Sequence, residues 1–237
     1  MDNTNTLYYG DNLDILQRYI SDESVDLIYL DPPFNSNANY NVFFEDKGRT
    51  QRSRSAAQLK AFEDTWTWDD TAALAYDKVT TGGGKISQAM QAFGALLGKS
   101  DMLAYLSMMA PRLLELRRVL KPTGSIYLHC DPTASAYLRL LMDAVFAPEN
   151  FRNEIVWKRA DTVKGNFGQG SRFFDRNTDS ILFYSKGDKN TFRPIFKGYS
   201  PEYVEGSYRH VEPETGRRYR LISMIGPGGA SKGNPQY

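Results

Sequence analysis

The sequence is poor in the residues that staple or ligate. Among 237 residues there is one cysteine, Cys130, so neither a disulfide framework nor a multi-cysteine zinc site can form. Two histidines, His129 and His210, are too few for a histidine-built metal cluster, and the expectation is a protein that uses no metal. No run approaches the roughly 18 apolar residues of a membrane span, so no membrane partner is expected. The opening Met1-Asp2-Asn3-Thr4-Asn5-Thr6 is polar and lacks the Lys or Arg of a secretory signal. Net charge is also scarce, with 29 Lys and Arg against 28 Asp and Glu giving +1. The 19 glycines have no three-residue period, which excludes collagen. What remains is 41% hydrophobic, enough for a sizeable core, and this excludes a wholly disordered chain. The expectation is a cytoplasmic domain of α/β size.

The neutral sum conceals an asymmetry. Residues 1–150 carry 14 Lys and Arg against 19 Asp and Glu, or −5, and residues 151–237 carry 15 against 9, or +6. Blocks of opposite sign fit a chain whose basic part meets a polyanion, although a solvated surface produces such fluctuations too.

Hydrophobic periodicity supplies the organisation. Leu7-Tyr8-Tyr9-Gly10 reads as a short strand, and Asp11-Asn12 offers a helix cap before Leu13, Leu16, Tyr19 and Ile20. Val25-Asp26-Leu27-Ile28-Tyr29-Leu30 is nearly continuous in apolar residues, the pattern of a strand buried on both faces. Residues 35–100 read as a long polar insertion, helical near 86–97 and partly mobile, with Arg49, Arg52 and Arg54 close together. Met102 to Leu120 is strongly amphipathic, with Pro111 expected to kink or break it. Lys121-Pro122-Thr123-Gly124 stops that helix, and Ser125 to Cys130 is the next strand. Asp131 or Thr133 caps a helix over 134–146. Strands at 154–157 and 180–184 follow, separated by a basic loop at 158–176. Strand–helix alternation of this kind predicts an α/β fold with a doubly wound, mostly parallel sheet.

In open α/β sheets, ligands bind beyond the carboxyl ends of the strands. Asp31-Pro32-Pro33-Phe34 stands at such an end. The exocyclic amino group of adenine or cytosine is a poor nucleophile because its lone pair is delocalised into the ring. Two acceptors gripping both N–H bonds favour a pyramidal nitrogen and aim its lone pair at an electrophile. The Asp31 carboxylate is one acceptor, and a carbonyl stiffened by the prolines, that of Pro32, is the other. Phe34 offers a flat face for an extruded base, a contact worth about 1–3 kcal/mol. The bland alternative is a Pro-Pro turn after a strand with Phe34 as a core plug.

The segment Val25 to Asn35 resembles motif IV of the S-adenosylmethionine-dependent amino-group DNA methyltransferases, the N4-cytosine/N6-adenine family. Gly10 to Leu16 looks like their preceding strand–helix segment, and Leu120 to His129 like their following helix–strand block. Phe151 to Trp157 and Ile181 to Lys186 are similar to their paired late strands. The resemblance is collinear over residues 7–220. It implies a Rossmann-like fold with an antiparallel late strand, the β-group motif order, S-adenosylmethionine as co-substrate and DNA as substrate. Catalysis would fall to Asp31, Pro32, Pro33 and Phe34. Asp31 opening the tetrapeptide points within the family to adenine N6, with cytosine N4 the alternative. By the same resemblance Asp11 and Asp31 touch the cofactor, and Phe34, Asn35, Trp157, Lys158, Arg159 and Arg172 meet the substrate, with Trp157 or Phe174 walling the base pocket. Simpler readings stand beside these: Asp11 as a helix cap, Trp157 as a core aromatic. His129, at a strand end, receives no catalytic part.

The family's Asp-Pro-Phe-x-Gly-x-Gly cofactor motif is missing, and Gly226-Pro227-Gly228-Gly229 reads as a loop. The expectation is therefore a front part of a longer restriction–modification or epigenetic methyltransferase, stopping before its cofactor strand. An inactive DNA-binding fragment, or half of a split enzyme, is the alternative. The expected division is a catalytic domain at 1–190, holding the 35–100 insertion, and a partial basic target-recognition or linking segment at 191–237. Arg152, Lys158, Arg159, Lys164, Arg172, Arg176, Arg217, Arg218 and Arg220 are the expected DNA-facing cations. A homodimer or a restriction subunit is the further partner the resemblance implies.

Overall fold

A computed structural model describes residues 5–33, 39–43, 58–63, 66–159, 177–194, 196 and 198–222. The chain divides into two compact units, residues 1–191 and 192–237. In the first, helix α1 (Asn12–Tyr19) leads to strand β1 (Val25–Leu30). Strands β2 (Asn39–Phe43) and β3 (Gln58–Glu63) then pair antiparallel in a sheet of their own. Three helices follow, α2 (Asp70–Thr81), α3 (Gly84–Leu97) and α4 (Asp101–Val119), then β4 (Leu120–Cys130) and α5 (Ser135–Phe146). A single 3₁₀ turn at Pro148–Asn150 feeds β5 (Phe151–Lys158), which returns as β6 (Thr178–Ser185).

The main sheet has the order β1-β4-β6-β5. β1 runs parallel to β4, while β6 is antiparallel to both β4 and β5. Three strands thus point one way and the late strand β6 points against them. This is an α/β fold with a mixed sheet, and its antiparallel late strand is the one the resemblance implies.

Side-chain parity places the core. Ile126, Leu128 and Cys130 of β4 and Leu182 and Tyr184 of β6 share one face and are buried with α3, α4 and α5. In α4, Leu103, Leu106, Met109, Leu113 and Leu116 recur three or four apart and all face this core. α4 runs unbroken through Pro111, so of the expected kink or break the break does not occur. Each buried Leu or Met stabilises by about 1.5–3 kcal/mol, and together they outweigh the roughly 3 kcal/mol cost of an internal proline.

On the opposite face the β1 positions stand open among the described residues, whereas Phe183 and Asp179 of β6 are buried there. Leu27 and Tyr29 of β1 are more than half exposed, whereas Ile28 and Leu30 lean on the core. The expectation of a β1 buried on both faces is corrected: an apolar run reports strand character, not whether a layer covers each side. Leu7 and Tyr9 are almost fully exposed and form no strand, because no described strand edge pairs with them. The presumed insertion also needs correction. Val79 of α2 and Ile86, Met90 and Phe93 of α3 belong to the core itself, so the back of 35–100 is integral to the fold. Arg49, Arg52 and Arg54 lie outside the described residues.

The second unit contains α6 (Pro201–Ser207), with β7 (His210–Val211) and β8 (Arg218–Tyr219) paired antiparallel. Tyr199, Tyr203 and Tyr208 cluster there, with Tyr199 and Tyr203 4.8 Å between ring centroids. Arg220 donates to Tyr203 Oη at 3.3 Å. No helix among the described residues is long and apolar enough to cross a membrane.

Candidate active site

Asp31 follows the last residue of β1, so the tight Pro-Pro turn holds it at the carboxyl end of the sheet. Its side chain is 59% exposed, while Pro32 is buried and Pro33 half-buried. The loop is thus anchored by a proline and presents a carboxylate. Phe34, Asn35, Arg172 and Phe174 lie outside the described residues, as do Lys164, Arg176 and the Gly226 to Gly229 cluster.

Strand order brings three further ionisable side chains to the same end. His129, next to last on β4, sets Nδ1 3.0 Å from Asp31 Oδ1 and Nε2 3.4 Å from Asp179 Oδ2. Asp179 sits on β6, diagonal to His129 on the same face, and its side chain is only 7% exposed. Arg159, just past β5, donates from Nε to Oδ1 and Oδ2 of Asp179, each at 2.9 Å, and from a terminal nitrogen to Oδ1. Asp31, His129, Asp179 and Arg159 therefore form a row across the sheet in the strand order β1-β4-β6-β5. Burial pushes the Asp179 carboxyl up, but the hydrogen bonds and charge of Arg159, with His129 adding to them, hold it below its ordinary value.

The row adds to two readings. Arg159, expected to face DNA, is engaged with a buried carboxylate while its side chain stays 44% exposed, and His129, to which the motif gives no catalytic part, spans two carboxylates. Neither partnership has a local signature, because Asp31, His129 and Asp179 are far apart in the chain. Arg152 is likewise committed internally, donating to Ser185 Oγ at 2.9 Å and to the carbonyls of Gly187 and Asp188 at 2.7 Å.

Trp157 stands opposite Asp179 in the β5–β6 register and is 57% exposed. It is not a core aromatic, since β5 edges the sheet and its outer face is uncovered among the described residues. Lys158 beside it is exposed. Asp11 caps α1, accepting from Leu13 N at 2.8 Å, and takes two further bonds from Arg112. Among the described residues no group of three or more His, Cys, Asp or Glu is placed to hold a metal ion.

An exposed carboxylate on a proline-stiffened loop at the carboxyl end of a mixed sheet defines a site for gripping a polar group presented from solvent. A family model for DNA methylases matches residues 25–219, and the chain belongs to that family. It is 28% identical over 236 residues to the Mod subunit of the type III restriction-modification enzyme StyLTI of Salmonella typhimurium, covering 98% of this chain. It is 26% identical over 224 residues to the EcoP15I Mod subunit of Escherichia coli, covering 90% of this chain. The chain spans 31% of the length of each of these relatives. Among solved structures, the PvuII cytosine-N4-specific DNA methyltransferase aligns with 90% of this chain and 65% of its own, at 11% identity and a TM-score of 0.42.

Proposed function

We propose that this chain carries the target-base side of an S-adenosylmethionine-dependent DNA methyltransferase that modifies the N6 amino group of adenine. The observation that carries the reading is the Asp31 carboxylate, exposed at the carboxyl end of β1 within the region shared with the DNA methylases. An aspartate opening the tetrapeptide supports adenine over cytosine.

The residues present fit the co-substrate at one expected contact and not at the other. Asp31 is a solvent-facing anion, suited to lie near a sulfonium. Asp11 has its carboxylate taken by the helix cap and by Arg112, so it does not fit as a cofactor ligand. S-adenosylmethionine, when bound, supplies an electrophilic methyl group and retains the carbon–sulfur bonding pair on sulfur. Everything else falls to the chain. Asp31 accepts an N–H of the amino group, which localises the nitrogen lone pair, and its free-facing oxygen receives the proton that nitrogen sheds on methylation. The prolines hold this acceptor in place before the base arrives, so no reorganisation is required at the moment of transfer. Access to a paired base requires flipping it from the duplex, at a cost of a few kcal/mol. Exposed cations offset that cost through phosphates: Lys158 on β5, and Arg193, Arg209, Arg217, Arg218 and Arg220 in the second unit.

The division proposed is catalysis in residues 1–190 and target recognition in 191–237. The relatives named as Mod subunits support a restriction subunit as the natural partner. The test is incubation with DNA and methyl-labelled S-adenosylmethionine, followed by digestion to nucleosides. Label in N6-methyladenine, lost in Asp31→Ala, is the expected result. Label in N4-methylcytosine would move the target to cytosine, and full activity of Asp31→Ala would overturn the assignment of Asp31.

A further inference from the structure

The row across the sheet contains more than the proposed reaction has used. Asp31 is its exposed end, at 59%, then comes His129 at 16% and Asp179 at 7%. The buried end is already satisfied without the histidine, since Arg159 reaches both oxygens of Asp179. His129 is therefore not needed to neutralise the buried carboxylate. What Asp179 does to His129 is different: by engaging Nε2 it fixes the rotation of the ring, and a fixed ring delivers Nδ1 to one oxygen of Asp31. A ring nitrogen's donor role is set by the bond its other nitrogen makes. The ring thus lies between two carboxylates, Asp31 on its Nδ1 side and Asp179 on its Nε2 side, so whichever nitrogen carries a proton faces an acceptor.

We propose that His129, oriented by Asp179 and Arg159, is a positioning residue that holds Asp31 by Oδ1 and leaves Oδ2 turned toward the target amino group. This inference rests on the methyl-transfer reading of Asp31. It assigns the histidine no contact with the substrate. Its work is to remove the free rotation of an otherwise exposed carboxylate, because misplacement of a reacting group by about 1 Å costs on the order of 100-fold in rate. The charged groups facing the ring are Asp31 from the end of β1 and Asp179 from β6, with Arg159 behind Asp179.

Side-chain geometry supplies a test that a space-filling role would fail. The amide nitrogen of asparagine overlays Nδ1 of histidine, whereas that of glutamine overlays Nε2. In the intact protein, His129→Gln is expected to lower kcat for methyl transfer about 100-fold with KM for DNA nearly unchanged. His129→Asn, which restores the donor to Asp31, is expected to recover most of kcat. The opposite order, or equal turnover by both variants and the parent, overturns the proposal. An independent readout needs no activity. With two histidines in the chain, ¹⁵N-imidazole spectra are assigned by removing the other one with His210→Gln. Asp31→Asn is expected to shift the Nδ1 signal of His129, and Asp179→Asn the Nε2 signal. An Nδ1 signal indifferent to Asp31→Asn overturns the proposal whatever the kinetics. Full turnover by Asp31→Asn removes the role of Asp31 and this proposal with it. If His129→Gln alone is without effect while Asp31→Asn is inactive, the positioning role fails and the methyl-transfer reading stands.

Discussion

Arg112 on α4 donates to both carboxylate oxygens of Asp11, each at 2.8 Å, across 101 residues of sequence. Asp11 Oδ1 also accepts from Leu13 N, so one side chain both starts α1 and ties it to the longest helix of the fold. α1 has no fully buried residue, so this tie works beside the partial packing of Leu16 on the core and the Arg118 bonds to the Leu16 and Ile20 carbonyls.

Asp11→Ala is therefore expected to destabilise the protein by about 1–2 kcal/mol. The lost cap accounts for about 1 kcal/mol, and a half-exposed ion pair adds about 0.2–1 kcal/mol. Asp11→Asn keeps a good cap and loses only the charge, so its urea midpoint should fall between those of the parent and the alanine variant. Equal midpoints for all three would show that Arg112 and the cap contribute nothing to holding α1.

Arg159→Ala leaves Asp179, 7% exposed, without its main partner. An unsatisfied buried acceptor costs about 1–3 kcal/mol. The sign of the pH dependence follows from the direction of the shift. Asp179 is held below its ordinary 3.8, so the contribution of the pair is present above 3.8 and is lost as pH falls toward the native value. Without Arg159, burial dominates and protonation of the carboxyl relieves the variant. Its deficit against the parent should be largest at neutral pH and shrink near about pH 3. A deficit that grows on acidification would contradict this account.

Local signals were legible where one residue and its immediate neighbours decide the outcome. The cap at Asp11 and the strands at β1, β4, β5 and β6 follow from composition and period, but the expected stop at Lys121 to Gly124 lies within β4, which begins at Leu120 directly after α4. Helix α2 gives a weak signal because half of its apolar residues are alanines, although Asp69 ahead of Asp70-Thr71-Ala72 is a cap signal, and Asp69 does accept from Ala72 N at 2.8 Å. Burial was not legible. Leu27 and Ile28 are equally apolar, yet only Ile28 leans on the core, because the covering helices lie on one side. At the site, Asp31 was found from its motif. His129, Asp179 and Arg159 were not found as partners, since strand order alone makes them neighbours.

Cys130 ends β4 on the core face with no exposed surface, and burial first, then the negative charges of Asp131, Glu154 and Asp179, push its thiol up from 9.0 to about 12. The native thiol should be inert to iodoacetamide at neutral pH, because the thiolate is the nucleophile. In urea the single cysteine should label fully. Since the unfolded thiol ionises near 9.0 and the native one near 12, stability should decline as pH rises through that window. Rapid labelling of the folded protein would mean that the β4 end opens without global unfolding.

Trp157 carries the last prediction, because its exposure separates two roles that the residue type leaves open. A core tryptophan cut to alanine costs about 3–5 kcal/mol. An exposed one away from packing changes stability by no more than about 0.5 kcal/mol. At 57% exposure, opposite Asp179 and therefore on the face that carries Asp31 and His129, the second figure applies. If the ring stacks on an extruded base, truncation forfeits about 1–3 kcal/mol of that contact. Trp157→Ala should then keep the parent's urea midpoint while KM for DNA rises roughly 10-fold to 100-fold. Trp157→Phe, retaining a flat face, should recover part of the loss. A collapse in stability would return Trp157 to the core, and an unchanged KM would remove it from the base pocket.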